Sequence, residues 1–342
     1  MTNTSYGALV PVERHTKFWK LHLSMMPQLY TSGDDQRMTL GYFCLGALDL
    51  LNKMDAGLST EQREAYIDWI YIQQMPFGGF RGSPAASEAH LTMTYTALLT
   101  LVLLRDNFAR LDRKRLHDFV RDLQQNDGSH RSSPTSEERD VRFSYCAFAI
   151  AYIMDDWSML DINHGISYML RCQHYESAFA QQPGLESHGG STYCVLASLA
   201  LANRLENLPN KRRLQCWLLS RQVSSSGFQG RPEKEPDTCY SFWCGASTMI
   251  LGCHQYVDAD ADATWILSAQ SPMGGISKVP GEKPDVLHSY LSYVALAMHA
   301  QDCLAEHNLP FAPVSAALNL SRESLGWLQA HLWQRHPSVE IP

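Results

Sequence analysis

A repeat of about fifty residues constrains this chain more than any other feature. Short apolar segments ending in glutamine recur: Trp69 to Gln74, Val120 to Gln125, Tyr168 to Gln173, Trp217 to Gln222 and Trp265 to Gln270. From Gln74 the steps between these glutamines are 51, 48, 49 and 48 residues. Most are soon followed by a glycine loop: Phe77-Gly78-Gly79-Phe80, Asn126-Asp127-Gly128-Ser129, Gly227-Phe228-Gln229-Gly230 and Gly274-Gly275. After each loop comes a second, more apolar run. One repeat therefore holds two helices, one amphipathic and one apolar nearly all round.

The apolar runs start near Arg37, Glu88, Asp140, His188, Asp237 and Asp285, and the amphipathic runs end near Gln74, Gln125, Gln173, Gln222, Gln270 and Trp333. A helix that is apolar all round has to be buried, and a helix with one apolar stripe can cover it. The count predicts an all-α fold, an α/α barrel or toroid of six inner and six outer helices. The regular spacing leaves no room for a linker, so residues 1–342 are expected to form a single domain, with 1–35 as a helical lead-in. Strand signals are weak throughout.

Composition excludes several classes of function. At 45% hydrophobic and 18% charged residues the chain can bury a large core and is not disordered. A net charge of −7 argues against nucleic acid as a partner. Nine cysteines, an odd number lying mostly in apolar runs, point to a reduced, cytoplasmic protein. No apolar signal region stands at the start, and no apolar run approaches the length of a membrane span. The chain ends Val339-Glu340-Ile341-Pro342, without a Cys-a-a-X box of its own.

The chemistry gathers in Gly230-Arg231-Pro232-Glu233-Lys234-Glu235-Pro236-Asp237-Thr238-Cys239-Tyr240. Arg231 and Lys234 occupy a Gly/Pro-rich loop. Pro236 and Asp237 mark a helix start, and Cys239 follows where a helix N-terminus stabilises a thiolate. If all inner helices run the same way, one rim carries Arg142, His188, Arg231, Lys234, Asp237, Cys239, Lys278, Asp285 and His288, with six positive dipole ends aimed at it. Cations beside helix N-termini suit a phosphate or diphosphate. Arg231 with Lys234 also reads as a solvated loop pair, and His188 as a plain helix-start histidine. Four cation-capable residues on one rim, His188, Arg231, Lys234 and Lys278, weigh toward an anion site. Tyr240 either donates to the same anion or packs.

His288 stands 49 residues after Cys239, one repeat later, near the start of the next inner helix. Asp237, Cys239 and His288 then describe a catalytic zinc site with an open fourth position. On spacing alone a zinc site and a set of satisfied helix-start residues stay equally open. The inner helices also present Tyr95, Phe143, Tyr145, Tyr193, Phe242, Trp243 and Tyr290, most of them expected in the core. A cavity that is apolar below and cationic at the rim would fit an amphiphile with a diphosphate head and a hydrocarbon tail.

The Gly230 to Trp243 stretch, Leu185-Glu186-Ser187-His188-Gly189-Gly190-Ser191-Thr192-Tyr193-Cys194 and Pro284-Asp285-Val286-Leu287-His288 resemble the β subunits of protein prenyltransferases. The resemblance runs from about Arg14 to about Met298. It is strongest to geranylgeranyltransferase type I, which joins a geranylgeranyl group to the cysteine of a Cys-a-a-X box, favouring Leu or Phe at X. The resemblance implies an α/α barrel and assigns roles. Asp237, Cys239 and His288 match the zinc ligands. His188, Arg231, Lys234 and Tyr240 match the residues that hold the prenyl diphosphate. Arg142 matches an arginine beside isoprenoid and peptide, and Tyr145, Cys194 and Trp243 match the isoprenoid wall.

Three positions favour type I over the farnesyl enzyme. Thr39 stands where that enzyme has a Trp that shortens the pocket. Leu287 stands where it has Tyr. Lys278 stands where it has an Asp used with magnesium, so no Mg²⁺ requirement is expected. The segment Arg81 to His90 is shorter than the vertebrate-like pattern. The resemblance also implies one Zn²⁺, a helical α subunit as heterodimer partner, geranylgeranyl diphosphate, and Cys-a-a-X proteins such as Rho-type small GTPases. The readings set beside it are a farnesyl or Rab-type β subunit, a terpene cyclase-like barrel, and a non-catalytic protein-binding barrel.

Overall fold

The structure is a computed structural model that describes residues 9–223, 227–302 and 308–333. Helices α1 (Val12–Ser24), α2 (Arg37–Leu50), α3 (Thr60–Ile72), α4 (Leu91–Leu103), α5 (Arg113–Leu123), α6 (Val141–Ile153) and α7 (Ile162–Arg171) open the chain. There follow α8 (Gly189–Leu201), α9 (Lys211–Leu219), α10 (Thr238–Ile250), α11 (Ala259–Ser268), α12 (Val286–Asp302) and α13 (Arg322–His331). The even-numbered helices up to α12 form the inner ring. Each packs on the next, and α12 returns to α2 to close it. Their apolar sequences explain their place: all of α4 but Thr92, and all of α6 but Arg142, is buried. The outer helices bury one stripe each, such as Leu116, Phe119, Val120 and Leu123 of α5, at helical spacing.

The glycine loops key the two rings together. Gly78, Gly128 and Gly274 have φ of +101, +88 and +96, and a Cβ on them would lie 2.1, 2.2 and 2.4 Å from the carbonyl oxygens of Arg115, His164 and Arg14. No other residue type can bring loop backbone so close to the next outer helix. Because α1 meets Gly274 as α5 meets Gly78, α1 is the sixth outer helix. The run ending near Trp333 does not take that place. Its helix α13 packs against α4 and the C-terminal hairpin instead, because α1 already fills the gap.

The repeated glutamine has a mechanical role. Gln74, Gln124 and Gln222 each use Oε1 to accept the backbone N–H of the aspartate that caps the next outer helix, Asp112, Asp161 and Asp258, at 3.0, 2.8 and 3.0 Å. In the second repeat the working residue is Gln124, not Gln125. It pairs with His130 across the same interval that joins Gln74 to Phe80 and Gln222 to Phe228.

All inner helices start at one end. The N–H groups of Met38, Leu91, Val141, Gly189 and Thr238 donate to the carbonyls of Gly82, Ser132, Gln181, Gly230 and Lys278, each in the loop leading to the next inner helix. The opposite end is plugged. Strands β1 (Val314–Ser315) and β2 (Leu320–Ser321) form a small hairpin. The hydroxyls of Tyr42, Tyr95, Tyr145, Tyr193 and Tyr290 donate to the carbonyls of residues 316–319 between them. These tyrosines recur with the repeat, but the segment they meet lies outside it.

A buried polar chain braces α10, α11 and α12. Ser241 Oγ donates to Asp262 Oδ1 at 2.7 Å, and His299 Nε2 donates to Asp262 Oδ2 at 2.8 Å. The other His299 nitrogen lies 3.2 Å from His254 Nε2. Such a network is costly to break, so it fixes the two inner helices that carry the site described next. The eight described cysteines are free, and all but Cys216 are buried. Cys303, residues 1–8 of the lead-in and the C-terminal Val339 to Pro342 lie outside the described residues.

Candidate active site

The residues that begin the inner helices are also the residues that line the rim. His90, Asp140, His188 and Asp237 are N-caps of α4, α6, α8 and α10, and their side chains accept backbone N–H groups two residues on. Asp285 serves α12 one residue further along, accepting the His288 N–H at 2.9 Å. Capping and site chemistry thus use the same side chains. His90 was not singled out from the sequence. It caps α4 and stacks edge-on against Phe143 at 5.7 Å, beside Arg142. A polar residue at a cap position was the available signal.

Asp237, Cys239 and His288 come together from the adjacent helices α10 and α12, with one ligand atom of each within 4.8 Å of the others. Asp237 Oδ1 accepts the Cys239 N–H at 2.9 Å and lies 3.3 Å from His288 Nε2. The far nitrogen of His288, Nδ1, donates to Asp285 Oδ2 at 2.6 Å. That bond fixes the ring so that Nε2 faces the triad, the usual arrangement behind a metal-bound histidine. Burial alone would lower the His288 pKa, but bonds to Asp237 and Asp285 outweigh it and lift it to about 9. Burial, then the Asp237 charge, pushes the Cys239 thiol well up. The imidazolium proton therefore supplies the positive charge between two carboxylates. A divalent cation in the same place would displace that proton and the thiol proton together. One carboxylate, one thiol and one oriented imidazole fit zinc, with a fourth position left for a substrate sulfur.

The cationic group lies beside the triad. His188 Nδ1 accepts the Gly190 N–H at 3.1 Å, which leaves Nε2 as the donor of a neutral ring, and Nε2 lies 2.9 Å from the Tyr240 hydroxyl. Burial lowers the His188 pKa, and Arg231 and Arg142 lower it further. Gly230 lets the Arg231 loop lie on the Tyr240 ring, since a Cβ there would sit 2.2 Å from Tyr240 Cζ. Burial raises the Tyr240 pKa, Cys239 and Asp237 add to the rise, and Arg231 opposes it. Tyr240 thus feels both groups. Lys278 Nζ lies 4.0 Å from Asp237 Oδ2, and Lys234 is exposed. Arg231 Nη1 contacts Glu186 Oε2 at 2.5 Å, a partner the sequence did not suggest.

The remaining positions are spread over the inner face. Thr39 Oγ1 lies 3.2 Å from Thr96 Oγ1, between α2 and α4. The Arg142 guanidinium donates to Asp140 at 2.6 Å and to Glu138 at 2.8 Å. Cys194 is buried, and the half-buried Trp243 packs on Tyr193 and Phe242. Tyr145 bonds Tyr95 and the plug, so its hydroxyl belongs to the floor. Leu287 is 38% exposed beside His288. A separate groove of about 650 Å³ runs between α1, residues 28–36 and α2, lined by residues such as Met25, Tyr30, Arg37 and Trp69; none of the triad residues lines it.

Comparison with known proteins agrees with this fold. The family model of the prenyltransferase alpha-alpha toroid domain matches residues 10–329. A geranylgeranyl transferase type-1 subunit beta of Dictyostelium discoideum is 36% identical over 94% of this chain and 97% of its own. A protein farnesyltransferase subunit beta of Schizosaccharomyces pombe is 30% identical over 85% of this chain and 78% of its own. Among solved structures, Candida albicans protein geranylgeranyltransferase-I complexed with GGPP shares the fold, with a TM-score of 0.85 and 24% identity over 95% of this chain and 99% of that one. Repeat, closed ring and matched length agree: the chain belongs to the prenyltransferase α/α toroid family.

Proposed function

We propose that this chain is the catalytic β subunit of a type I protein geranylgeranyltransferase. It would move a geranylgeranyl group from geranylgeranyl diphosphate to the cysteine of a C-terminal Cys-a-a-X box, with Leu or Phe preferred at X. The observation that carries the reading is the Asp237, Cys239 and His288 cluster beside a cationic group on one rim. The likeness to the Dictyostelium subunit supports type I.

Asp237, Cys239 and His288 would hold zinc, which when bound supplies a lowered pKa for the incoming cysteine thiol. Asp285 keeps the His288 ring aimed at that place. His188, Arg231, Lys234, Tyr240 and Lys278 grip the diphosphate. They stabilise its growing charge as the C1–O bond breaks and the substrate sulfur bonds to C1, with diphosphate carrying away the electron pair. Tyr145, Cys194 and Trp243 face the isoprenoid, Arg142 stands beside isoprenoid and peptide, and Thr39 leaves room for the fourth prenyl unit. An α subunit completes the heterodimer, and the protein substrates are Cys-a-a-X proteins such as Rho-type small GTPases. Among the described residues no helix is long and apolar enough to cross a membrane. We place the enzyme in the cytoplasm.

Two results test the reading. With an α subunit present, the chain is expected to transfer geranylgeranyl in preference to farnesyl, to peptides ending in Leu over those ending in Ser. Farnesyl transfer to the Ser peptide would move the assignment to the farnesyl class, and no transfer with either donor would end it. Lys278 places an ammonium where magnesium would otherwise act. Turnover with Mg²⁺ chelated and zinc retained should therefore stay within about twofold of the Mg²⁺-replete rate. Complete loss on chelation would remove Lys278 from that role.

A further inference from the structure

Glu186 lies in the loop before α8, outside the metal triad and outside the donors that grip the diphosphate in the reading above. Its Oε2 is 2.5 Å from Arg231 Nη1, although 45 residues separate the two in sequence. The side chains are 51% and 41% exposed. An ion pair that open adds too little to stability to hold the loops together. The loops are held by other bonds, Gly189 N–H to Gly230 O at 2.7 Å and His188 to Tyr240 at 2.9 Å. What the Glu186 carboxylate does settle is where the Arg231 guanidinium sits. A carboxylate and a phosphate offer a guanidinium the same pair of acceptor oxygens, so one can occupy the place of the other.

We propose that Glu186 is a stand-in anion, which holds Arg231 poised when no diphosphate is bound and competes with diphosphate for it, easing release of the diphosphate product. The proposal rests on the diphosphate reading of the rim. Substrate binding exchanges a single carboxylate for a more highly charged diphosphate on Arg231. After transfer the leaving diphosphate has lost its prenyl anchor, and the carboxylate recovers the arginine. Glu186 is thus a positioning residue that acts through Arg231.

The test uses the full chain with its α subunit and inorganic diphosphate as the probe, with binding measured by calorimetry. Glu186→Gln keeps the shape and removes the charge. It should bind diphosphate about two- to fivefold more tightly than the wild type, with product inhibition by diphosphate strengthened by the same factor and the KM for prenyl diphosphate lowered. Glu233→Gln is the control, because Glu233 is an exposed carboxylate in the Arg231 loop. Unchanged or weaker binding in Glu186→Gln overturns the proposal. Equal tightening in both variants also overturns it, since a general field and not the contact with Arg231 would then be at work. If the wild type binds no diphosphate at all, the functional reading itself fails, a result distinct from either.

Discussion

Replacing Cys239 with alanine is expected to strip the protein of zinc and to lower prenyl transfer by about 10³-fold, while diphosphate binding stays within a few-fold of wild type. The magnitude has two sources. A free thiol with a pKa near 8.5 is only a few per cent thiolate at pH 7, so losing the metal's acidifying effect costs roughly 30-fold. Losing the positioned sulfur costs on the order of another 10². Asp237 and His288 remain, but a carboxylate and an imidazole are a poor closed set for zinc. The donors His188, Arg231, Lys234 and Tyr240 belong to other side chains, and only Tyr240 lies next to Cys239 in the chain. Diphosphate binding therefore serves as the check that the variant is folded. Metal content by atomic absorption, single-turnover transfer and diphosphate calorimetry on one preparation decide the matter. A variant that keeps transfer near the wild-type rate removes Cys239 from the metal site.

Thr39→Trp is expected to change the donor rather than abolish transfer. Thr39 lies between α2 and α4, with its hydroxyl against Thr96 and near Met93. An indole there would project into the space that a fourth prenyl unit needs. Five carbons at ~0.8 kcal/mol per buried CH₂ amount to ~4 kcal/mol. The kcat/KM for geranylgeranyl diphosphate should therefore fall by about 10²–10³-fold, while that for farnesyl diphosphate stays within about tenfold. Steady-state kinetics with both donors and a Leu-ending peptide give the ratio. An equal loss with both would mean that the indole merely disrupts packing between α2 and α4, and the pocket argument would fail.

These expectations draw on two kinds of information in the chain. Local order was legible directly. The alternation of all-apolar and striped runs foretold inner and outer helices, because burial on every side and burial on one side leave different periodicities. Polar residues stood at the inner helix starts, so Arg142, His188, Asp237 and Asp285 could be placed on one rim before any contact was known. One repeat of separation brought Cys239 and His288 together because adjacent inner helices share a register. The repeated glutamine marked the same register, although its neighbour was chosen at Gln125. Two adjacent glutamines look alike until a helix cap such as Asp161 selects one.

Only the tertiary structure decided what closes the ring at each level. The sixth outer place went to α1 because the Gly274 loop meets the Arg14 carbonyl, a contact between opposite ends of the chain. The plug of residues 316–319 forms because five tyrosine hydroxyls, one on each of five inner helices, find its carbonyls; the tyrosines recur with the repeat, but nothing in the period says what they meet. Glu186 holding Arg231 is likewise a pairing whose closeness depends on how loops abut, whereas Asp285 meets His288, three residues on, through the local geometry of the α12 start. Helix propensity and burial are sums over near neighbours and survive in a sequence read alone. The partners of a rim carboxylate are set by the three-dimensional path of the whole barrel.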